Sequence, residues 1–379
     1  MTTKSDTFVM DLAGLDAVLK ALREAGFTLV GPTVEDEAII YDEIASLEEL
    51  PKGWTDEQGP GVYRITKSDS PSLFDYNTGP HAWKKFLNPS RMRLWTAEKN
   101  ATGFEVIPEK REIPAYAFIG VRACDLNAIR IQDKVFRTGT SVESYYDEAR
   151  DNAFVLAVNC TRAGGTCFCA SMNAGPRVGQ GFDLALTELV SQQRHVFVIE
   201  VGSERGLQIL GDVPKERAGA QTLQLRDQCI SEAAESMGRS MQTENLRELL
   251  VQNPEHPRWA DVADRCLSCA NCTMACPTCF CSTVEDTTDL TGDHAERWKR
   301  WDSCFTMDFS YVAGGVIRSS TRSRYRQWMT HKLATWHDQF GTGGCVGCGR
   351  CITWCPVGID ITEEVRAIQS STQTHPNRP

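Results

Sequence analysis

The 379-residue sequence has no long run of apolar side chains. A membrane-spanning helix needs about 18 or more predominantly apolar residues in succession. No segment approaches that length, so we expect no membrane span. Lys4 lies near the start without an apolar run behind it, so we expect no secretory signal and a cytoplasmic location. The formal net charge of −10 argues against nucleic acid as a partner.

Common motifs for nucleotide binding and metal-dependent hydrolysis are also missing. Neither G-x-G-x-x-G after a predicted strand nor G-x-x-x-x-G-K-[ST] occurs, and no two of the 7 histidines form an H-E-x-x-H pair. No cysteine pairs of the kind that hold a nickel–iron active site are recognisable. We therefore expect no active site of its own on this chain.

Cysteine, by contrast, is abundant, with 16 residues. In a secreted protein such a number would indicate disulfides, but an export signal is not expected here. In a reducing compartment, clustered cysteines are better explained as metal ligands. Eleven of them lie beyond residue 250.

Hydrophobic patterning predicts an α/β domain over residues 1–250. A helix is predicted from Asp11 to Gly26, because leucine and valine recur on one face. Short runs rich in β-branched and aromatic residues predict buried strands at 115–121, 154–159 and 195–201. Helices are predicted at 183–192 and 223–251, and this alternation favours a partly parallel sheet. The Pro-containing break after residue 250 marks the expected boundary with a second domain, 251–379.

The strongest motif occurs twice in that second domain. Cys266, Cys269, Cys272 and Cys276 precede Pro277, and Cys345, Cys348, Cys351 and Cys355 precede Pro356. Both runs match the bacterial ferredoxin pattern C-x2-C-x2-C-x3-C-P, whose fourth cysteine ligates the other cluster in two-cluster ferredoxins. This assigns one 4Fe–4S cluster to Cys266, Cys269, Cys272 and Cys355. It assigns the second to Cys345, Cys348, Cys351 and Cys276. Paired C-x2-C elements also make zinc sites, but the third cysteine at the same interval and the proline have no purpose in one.

The two motifs are separated by residues 277–344, predicted as a long helical insertion in the ferredoxin-like domain. Part of this stretch is basic and aromatic, which is also seen in nucleic-acid binding, although the overall charge argues against that here. Cys279, Cys281 and Cys304 lie in it. Three thiolates are one short of a cubane set, so we expect core residues or neighbours of a cluster, with a further metal site as the alternative.

The N-terminal domain contains a third group of cysteines. Cys124 and Cys160 each follow a predicted strand, and Cys167 and Cys169 lie in the loop after Cys160. Ligands of α/β sheets gather beyond the carboxyl ends of the strands. The sequence therefore predicts a third iron–sulfur cluster on Cys124, Cys160, Cys167 and Cys169. Buried structural cysteines or a zinc site are the alternatives.

Other segments narrow the family. They are 79–84 (GPHAWK), 120–126 (GVRACDL), 166–169 (TCFC), 276–281 (CPTCFC), 301–304 (WDSC) and 344–351 (GCVGCGRC). With these, nearly the whole chain resembles the beta subunit of cytosolic sulfhydrogenases, the soluble NAD(P)-linked nickel–iron hydrogenases. It is also similar to the electron-transfer subunit of anaerobic sulfite reductase, a relative of that beta subunit.

The resemblance implies an iron–sulfur electron-transfer subunit of an oxidoreductase complex. Its expected partners are the small and large subunits of a nickel–iron hydrogenase, together with a flavin-containing, NAD(P)-binding diaphorase subunit. The alternative, implied by the similarity to anaerobic sulfite reductase, is an electron-transfer subunit of a complex that reduces sulfite.

Overall fold

The computed structural model describes residues 7–77, 79–192 and 194–374. In chain order its strands are β1 Thr7–Met10, β2 Thr28–Glu35, β3 Ala38–Glu43, β4 Trp54–Gly59, β5 Val62–Lys67, β6 Arg91–Asn100, β7 Gly103–Pro108, β8 Tyr116–Arg122, β9 Phe154–Val158, β10 Leu184–Val190, β11 His195–Val201, β12 Glu216–Arg217, β13 Ser282–Thr288, β14 His294–Trp301, β15 Tyr311–Val312 and β16 Gly315–Val316.

Its α-helices are α1 Leu12–Glu24, α2 Lys84–Leu87, α3 Ala123–Phe136, α4 Ser144–Asn152, α5 Glu204–Ile209, α6 Ala220–Glu235, α7 Leu246–Gln252, α8 Arg258–Arg265, α9 Asn271–Met274, α10 Thr321–Thr330, α11 Trp336–Phe340, α12 Arg350–Thr353 and α13 Ile361–Thr374. A π-helical turn, His331–Thr335, connects α10 to α11. Among the described residues, no helix combines the length and apolar character needed to cross a membrane.

An eight-stranded mixed sheet forms the centre of the N-terminal part, in the order β12-β1-β11-β10-β9-β8-β2-β3. The four strands β10-β9-β8-β2 are parallel, and the pairs outside them are antiparallel. This agrees with the partly parallel sheet predicted from the sequence. Because β8 and β9 are parallel neighbours, their carboxyl ends lie side by side at one edge of the sheet.

Helices cover both faces of this sheet. The buried side chains of α1 pack on one face, where Leu15, Val18 and Leu22 meet apolar residues of β9 and β11. The Asp11 side chain accepts a hydrogen bond from the backbone of Gly14 and so caps α1. On the other face α3 and α4 pack together, with Phe136 against Tyr146. The sheet thereby holds the start of α3, which carries Cys124, in a fixed position.

The predicted helix at 11–26 and the three predicted strands are confirmed, each within two residues of its observed ends. The predicted helix at 183–192 is wrong, since Leu184–Val190 forms the strand β10. All but the last of its residues are buried, because it lies between β9 and β11. A short strand that is buried on both faces has no clear period-2 signal to distinguish it from a helix. The predicted helix at 223–251 is interrupted between α6 and α7.

A four-stranded antiparallel sheet, β13-β14-β6-β7, joins distant parts of the chain. Strands β6 and β7 come from the N-terminal part, whereas β13 and β14 belong to the predicted insertion. The insertion is therefore not helical throughout. Its first half contains the β13–β14 hairpin, with β14 paired to β6, and its α-helical structure begins at Thr321, after a 3₁₀ turn at Asp308–Ser310. The boundary near residue 250 stays a prediction, and this sheet crosses it.

The C-terminal part has its own apolar core, in which cysteines and aromatic residues are mixed. Trp259, Tyr325, Trp328 and Met329 are buried there, next to Ile352 and Val365. Phe168, from the loop of the third cysteine group, belongs to this same core and is fully buried. The N-terminal cysteine loop is thus packed into the ferredoxin-like region.

Candidate iron–sulfur sites

Cys266, Cys269, Cys272 and Cys355 line one cavity, whose empty volume is about 440 Å³ counted with its opening to solvent. The remaining wall is almost entirely apolar and includes Phe305, Tyr325 and Trp328. Cys269 is exposed, whereas Cys355 is buried. We name these four cysteines the first set. The four thiols predicted to share a cluster thus face a common space.

Backbone N–H groups point at the sulfur atoms in this region. Cys266 Sγ accepts a hydrogen bond from Ser268 N at 3.4 Å, and Cys355 Sγ accepts one from Ile359 N at 3.3 Å. The left-handed backbone of Ser268 (φ 52°) and Ala270 (φ 68°) winds the chain around the cavity. Such donors favour the thiolate over the thiol.

Cys276, Cys345, Cys348 and Cys351, the second set, also lie together. Burial raises the pKa of Cys351 well above its usual value, and the neighbouring thiols of Cys345, Cys348, Cys276 and Cys272 add to the effect. Cys351 additionally lines the first cavity. The second loop repeats the backbone of the first, since Gly347 (φ 66°) and Gly349 (φ 75°) occupy the places of Ser268 and Ala270. Gly347 N donates to Cys345 Sγ at 3.5 Å.

A buried lysine contacts the second set. Lys332 is 2% exposed and its Nζ donates to Cys276 Sγ at 3.2 Å. A hydrogen bond from the Cys279 thiol, together with Lys332, holds the pKa of Cys276 well below its usual value. The pKa of Lys332 is raised despite its burial, because the thiols of Cys276, Cys279 and Cys345 surround it.

Cys279, Cys281 and Cys304 lie beside this lysine. The Cys304 thiol donates a hydrogen bond to Cys281, which lowers the pKa of Cys281 to about 7. A second buried lysine, Lys84, approaches the same thiols and its Nζ donates to the Cys279 carbonyl oxygen at 3.3 Å. That these three cysteines are core residues or neighbours of a cluster, with a further metal site as the alternative, stays a prediction.

Cys124, Cys160, Cys167 and Cys169, the third set, converge at the carboxyl ends of β8 and β9. Burial, together with the thiol of Cys160, raises the pKa of Cys167 to about 12. Burial also raises the pKa of Cys169, with the Cys167 and Cys160 thiols as further causes. Burial raises the pKa of Cys124 well above its usual value, and Asp125 and Cys169, together with Cys348 of the second set, add to the effect, so the two sets are adjacent.

An ion pair fastens the second set to the third. Arg350 lies between Cys348 and Cys351, and its two terminal nitrogens donate to the two carboxylate oxygens of Asp125 at 2.8 and 2.9 Å. Both side chains are 1% exposed. Asp125 directly follows Cys124 in the first turn of α3. The pair therefore fixes the distance between the two sets.

The donor chemistry of all three sets fits iron–sulfur clusters. All of these thiols except Cys269 are at least partly buried, and most lie beside other thiols, so ionising several together requires a positive charge such as bound iron. Across the described ranges, no group of three or more His, Cys, Asp or Glu side chains is arranged around a single ion. Each first-set thiol instead borders a shared cavity, as a cubane with one thiolate per iron requires.

Sequence reasoning did not identify Lys84, Lys332 or the Asp125–Arg350 pair. Lys332 is 56 residues from Cys276 and lies in the basic, aromatic stretch of the predicted helical insertion, to which no cluster contact was assigned. Asp125 and Arg350 stand inside cysteine motifs, next to Cys124 and Cys351. Their position beside cysteines was a signal, but their pairing over 225 residues was not predictable from one sequence.

Comparison with known proteins supports the predicted relationship. The model of the 4Fe-4S dicluster domain family matches residues 265–359, which contain all eight ferredoxin-type cysteines. Sulfhydrogenase 2 subunit beta of Pyrococcus furiosus is 29% identical over 356 residues, which cover 91% of this chain and 94% of that protein. No solved structure matches. The chain thus has a 4Fe–4S domain and is related to a sulfhydrogenase beta subunit.

Proposed function

We propose that this chain is the iron–sulfur electron-transfer subunit of a soluble, NAD(P)-linked nickel–iron hydrogenase complex. It would relay electrons between the hydrogenase small and large subunits and a flavin-containing diaphorase subunit that binds NAD(P). The near full-length similarity to a sulfhydrogenase beta subunit, together with the dicluster domain, supports a hydrogenase carrier. The cytoplasm is the proposed location.

The continuity of the three thiol sets is the observation that carries the proposal. The first set reaches the surface at Cys269, and Cys351 borders both the first cavity and the second set. Cys348 then adjoins Cys124 and Cys169 of the third set. Clusters held by these cysteines would succeed one another through the molecule, which suits stepwise electron transfer.

The proposed ligand assignment follows the crossing rule of two-cluster ferredoxins. Cys266, Cys269, Cys272 and Cys355 would hold one 4Fe–4S cluster, and Cys345, Cys348, Cys351 and Cys276 the second. Cys124, Cys160, Cys167 and Cys169 would hold a third. When bound, the clusters supply one-electron redox chemistry. The protein supplies thiolates, N–H donors to sulfur, and an apolar wall that excludes water.

The decisive experiment is an activity assay of the intact complex. The tagged chain is purified anaerobically from its host with its bound subunits. Hydrogen-dependent reduction of NAD(P) and NAD(P)H-dependent reduction of sulfite are then measured side by side. We expect hydrogen-dependent activity with nickel in the preparation. Sulfite reduction without nickel would indicate that the chain belongs to an anaerobic sulfite reductase complex. The absence of both activities in an intact complex would contradict the proposal.

A separate count of iron tests the third cluster. We expect about twelve iron atoms per chain, since three four-iron clusters are proposed. C169S should remove one four-iron unit and leave the signals of the other two in electron paramagnetic resonance (EPR) spectra. C229S is the matched control, because Cys229 is a half-buried cysteine on α6 outside the three sets. Eight iron atoms in the wild-type chain would limit the protein to two clusters.

A further inference from the structure

Lys84 and Lys332 are buried lysines that make no ion pair with a carboxylate in the part of the chain that the structure describes. They are 4% and 2% exposed, and the described ion pairs involve neither. A buried ammonium without a counter-charge is strongly destabilising. Lys84 donates to the carbonyl oxygens of Thr273 and Cys279 and has thiols only as electrostatic neighbours. Lys332, by contrast, donates directly to a thiol, so a thiolate is the available negative partner of Lys332.

The contacts of Lys332 are directed at both chain segments that carry the second set. Besides Cys276 Sγ, its Nζ donates to Thr278 Oγ1 at 3.0 Å and to the Gly344 carbonyl oxygen at 3.2 Å. Gly344 immediately precedes Cys345, and its N–H donates to the Lys332 carbonyl oxygen at 2.9 Å. Lys332 thus connects the fourth cysteine of the first motif to the start of the second motif.

The backbone that places this lysine is unusual. Lys332 lies in the π-helical turn His331–Thr335, between α10 and α11. A π turn inserts one extra residue into a helix and is frequently found at functional sites. The Nζ also lies 5.5 Å from the ring of Trp336, one turn further on. The Lys332 side chain is therefore held at the sulfur from several directions.

The sulfur atoms of the first set accept hydrogen bonds from donors of a different kind than those of the second set. The hydrogen bonds to Cys266 and Cys355 come from the backbone N–H groups of Ser268 and Ile359, which are neutral. In the second set, Cys345 accepts a backbone bond from Gly347. Cys276 instead accepts the charged bond from Lys332, in addition to neutral contacts with the Thr278 hydroxyl and the Cys279 thiol. Hydrogen bonds to sulfur and local charge are two determinants of cluster potential.

We propose that Lys332 is a positioning residue that raises the reduction potential of the cluster held by Cys276, Cys345, Cys348 and Cys351 above that of the first set's cluster. The inference rests on the proposed function. Reduction adds one electron to a cluster whose thiolates already make it negative. The fixed positive charge of the ammonium stabilises that added negative charge and so favours reduction, and no bond or proton needs to move. Electrons would then reside preferentially on the second cluster, next to the third set.

The test is an EPR-monitored redox titration of the intact complex. In the K332M variant, which keeps the length of the side chain and removes the charge, we expect the second cluster to become harder to reduce. A tenfold change in its reduction equilibrium corresponds to about 59 mV for one electron. The first cluster should keep its potential. K99M is the control, because Lys99 is an exposed lysine that pairs with Asp293 on the surface.

Two results would overturn the inference. One is an unchanged potential of the second cluster at full iron content, and the other is an equal shift of both clusters. If K332M fails to fold, the wild-type complex labelled with ¹⁵N-lysine still decides the matter. Pulsed EPR of the reduced second cluster should detect a ¹⁵N coupling, and its absence would contradict the contact.

Failure of the proposed function would look different. It would appear as missing four-iron clusters or missing complex activity in the wild-type protein, before any lysine is changed.

Discussion

The two ferredoxin-type loops have the same cysteine spacing and the same backbone turns, yet they face different surroundings. The first loop carries Ser268, Ala270 and Asn271 around an apolar cavity that opens to solvent at Cys269. The second carries Gly347, Gly349 and Arg350 at the equivalent positions and is enclosed by the loop that contains Thr166 and Phe168. The spacing is set by cluster chemistry, whereas the residues between the cysteines are set by what each loop touches.

The difference is clearest at the residue before each third cysteine. Asn271 is exposed and its side chain makes one weak hydrogen bond, to the Trp354 carbonyl oxygen at 3.3 Å. Arg350 is buried and pairs with Asp125, and its Nε also donates to the Gly79 carbonyl oxygen at 3.2 Å. The first loop is therefore exposed to solvent at this position, whereas the second loop is buried and connects the N-terminal and C-terminal parts through the Asp125–Arg350 ion pair.

The largest effect on stability is therefore expected from removing the Asp125–Arg350 ion pair. R350M leaves the Asp125 carboxylate buried without its partner, which costs about 3–5 kcal/mol in other proteins. We expect a marked fall in the guanidinium concentration at which the anaerobic protein loses its cluster absorbance, with loss of iron from the third set. N271M at the equivalent position should change that midpoint little.

A double variant checks the cause. Replacing both charges, as in D125L/R350M, removes the unpaired carboxylate, so it should be less destabilised than R350M alone. Equal or greater loss in the double variant would show that the charge on Asp125 is not the source of the effect.

A smaller but clear effect is expected from the glycines of the second loop. A Cβ on Gly347 would lie 2.6 Å from the backbone carbonyl of Phe168, and one on Gly349 would overlap the Thr166 carbonyl oxygen. Both glycines also have positive φ. The left-handed backbone and the overlap together cost G349A about 3 kcal/mol. The same denaturant midpoint, with iron content of the second and third sets, measures it.

The cysteine groups could be predicted from the sequence, whereas the contacts of these glycines could not. The proposed grouping of the eight motif cysteines came from their spacing together with the crossing rule of two-cluster ferredoxins, and the structure places the first set around one cavity. The third set could be placed from the rule that ligands gather at strand ends, since Cys124 and Cys160 follow parallel strands. The strand β10 was misjudged, because a strand buried on both faces has no distinctive period.

The sequence could not show which residues of the N-terminal part contact which residues of the C-terminal part. Asp125 meets Arg350 over 225 residues, and β6 pairs with β14 over about 200 residues of intervening chain. These pairings follow from the relative placement of the two halves, which one sequence does not encode in any local pattern. Lys332 was missed for the same reason, because its partners Cys276 and Gly344 come from both motifs.

The smallest effect on stability is expected when Ala270 of the first loop is replaced by glycine, the residue found at the equivalent position 349 of the second loop. In A270G the left-handed backbone (φ 68°) is relieved, which favours the variant by about 1–2 kcal/mol. Glycine also makes the unfolded chain more flexible, at a cost of about 0.4–1 kcal/mol, and the buried Ala270 methyl is lost. These contributions nearly cancel, so the denaturant midpoint and the iron content should stay close to wild type. A large loss of iron from the first set in A270G would show that this loop is as tightly enclosed as the second, and the contrast between the two loops would be wrong.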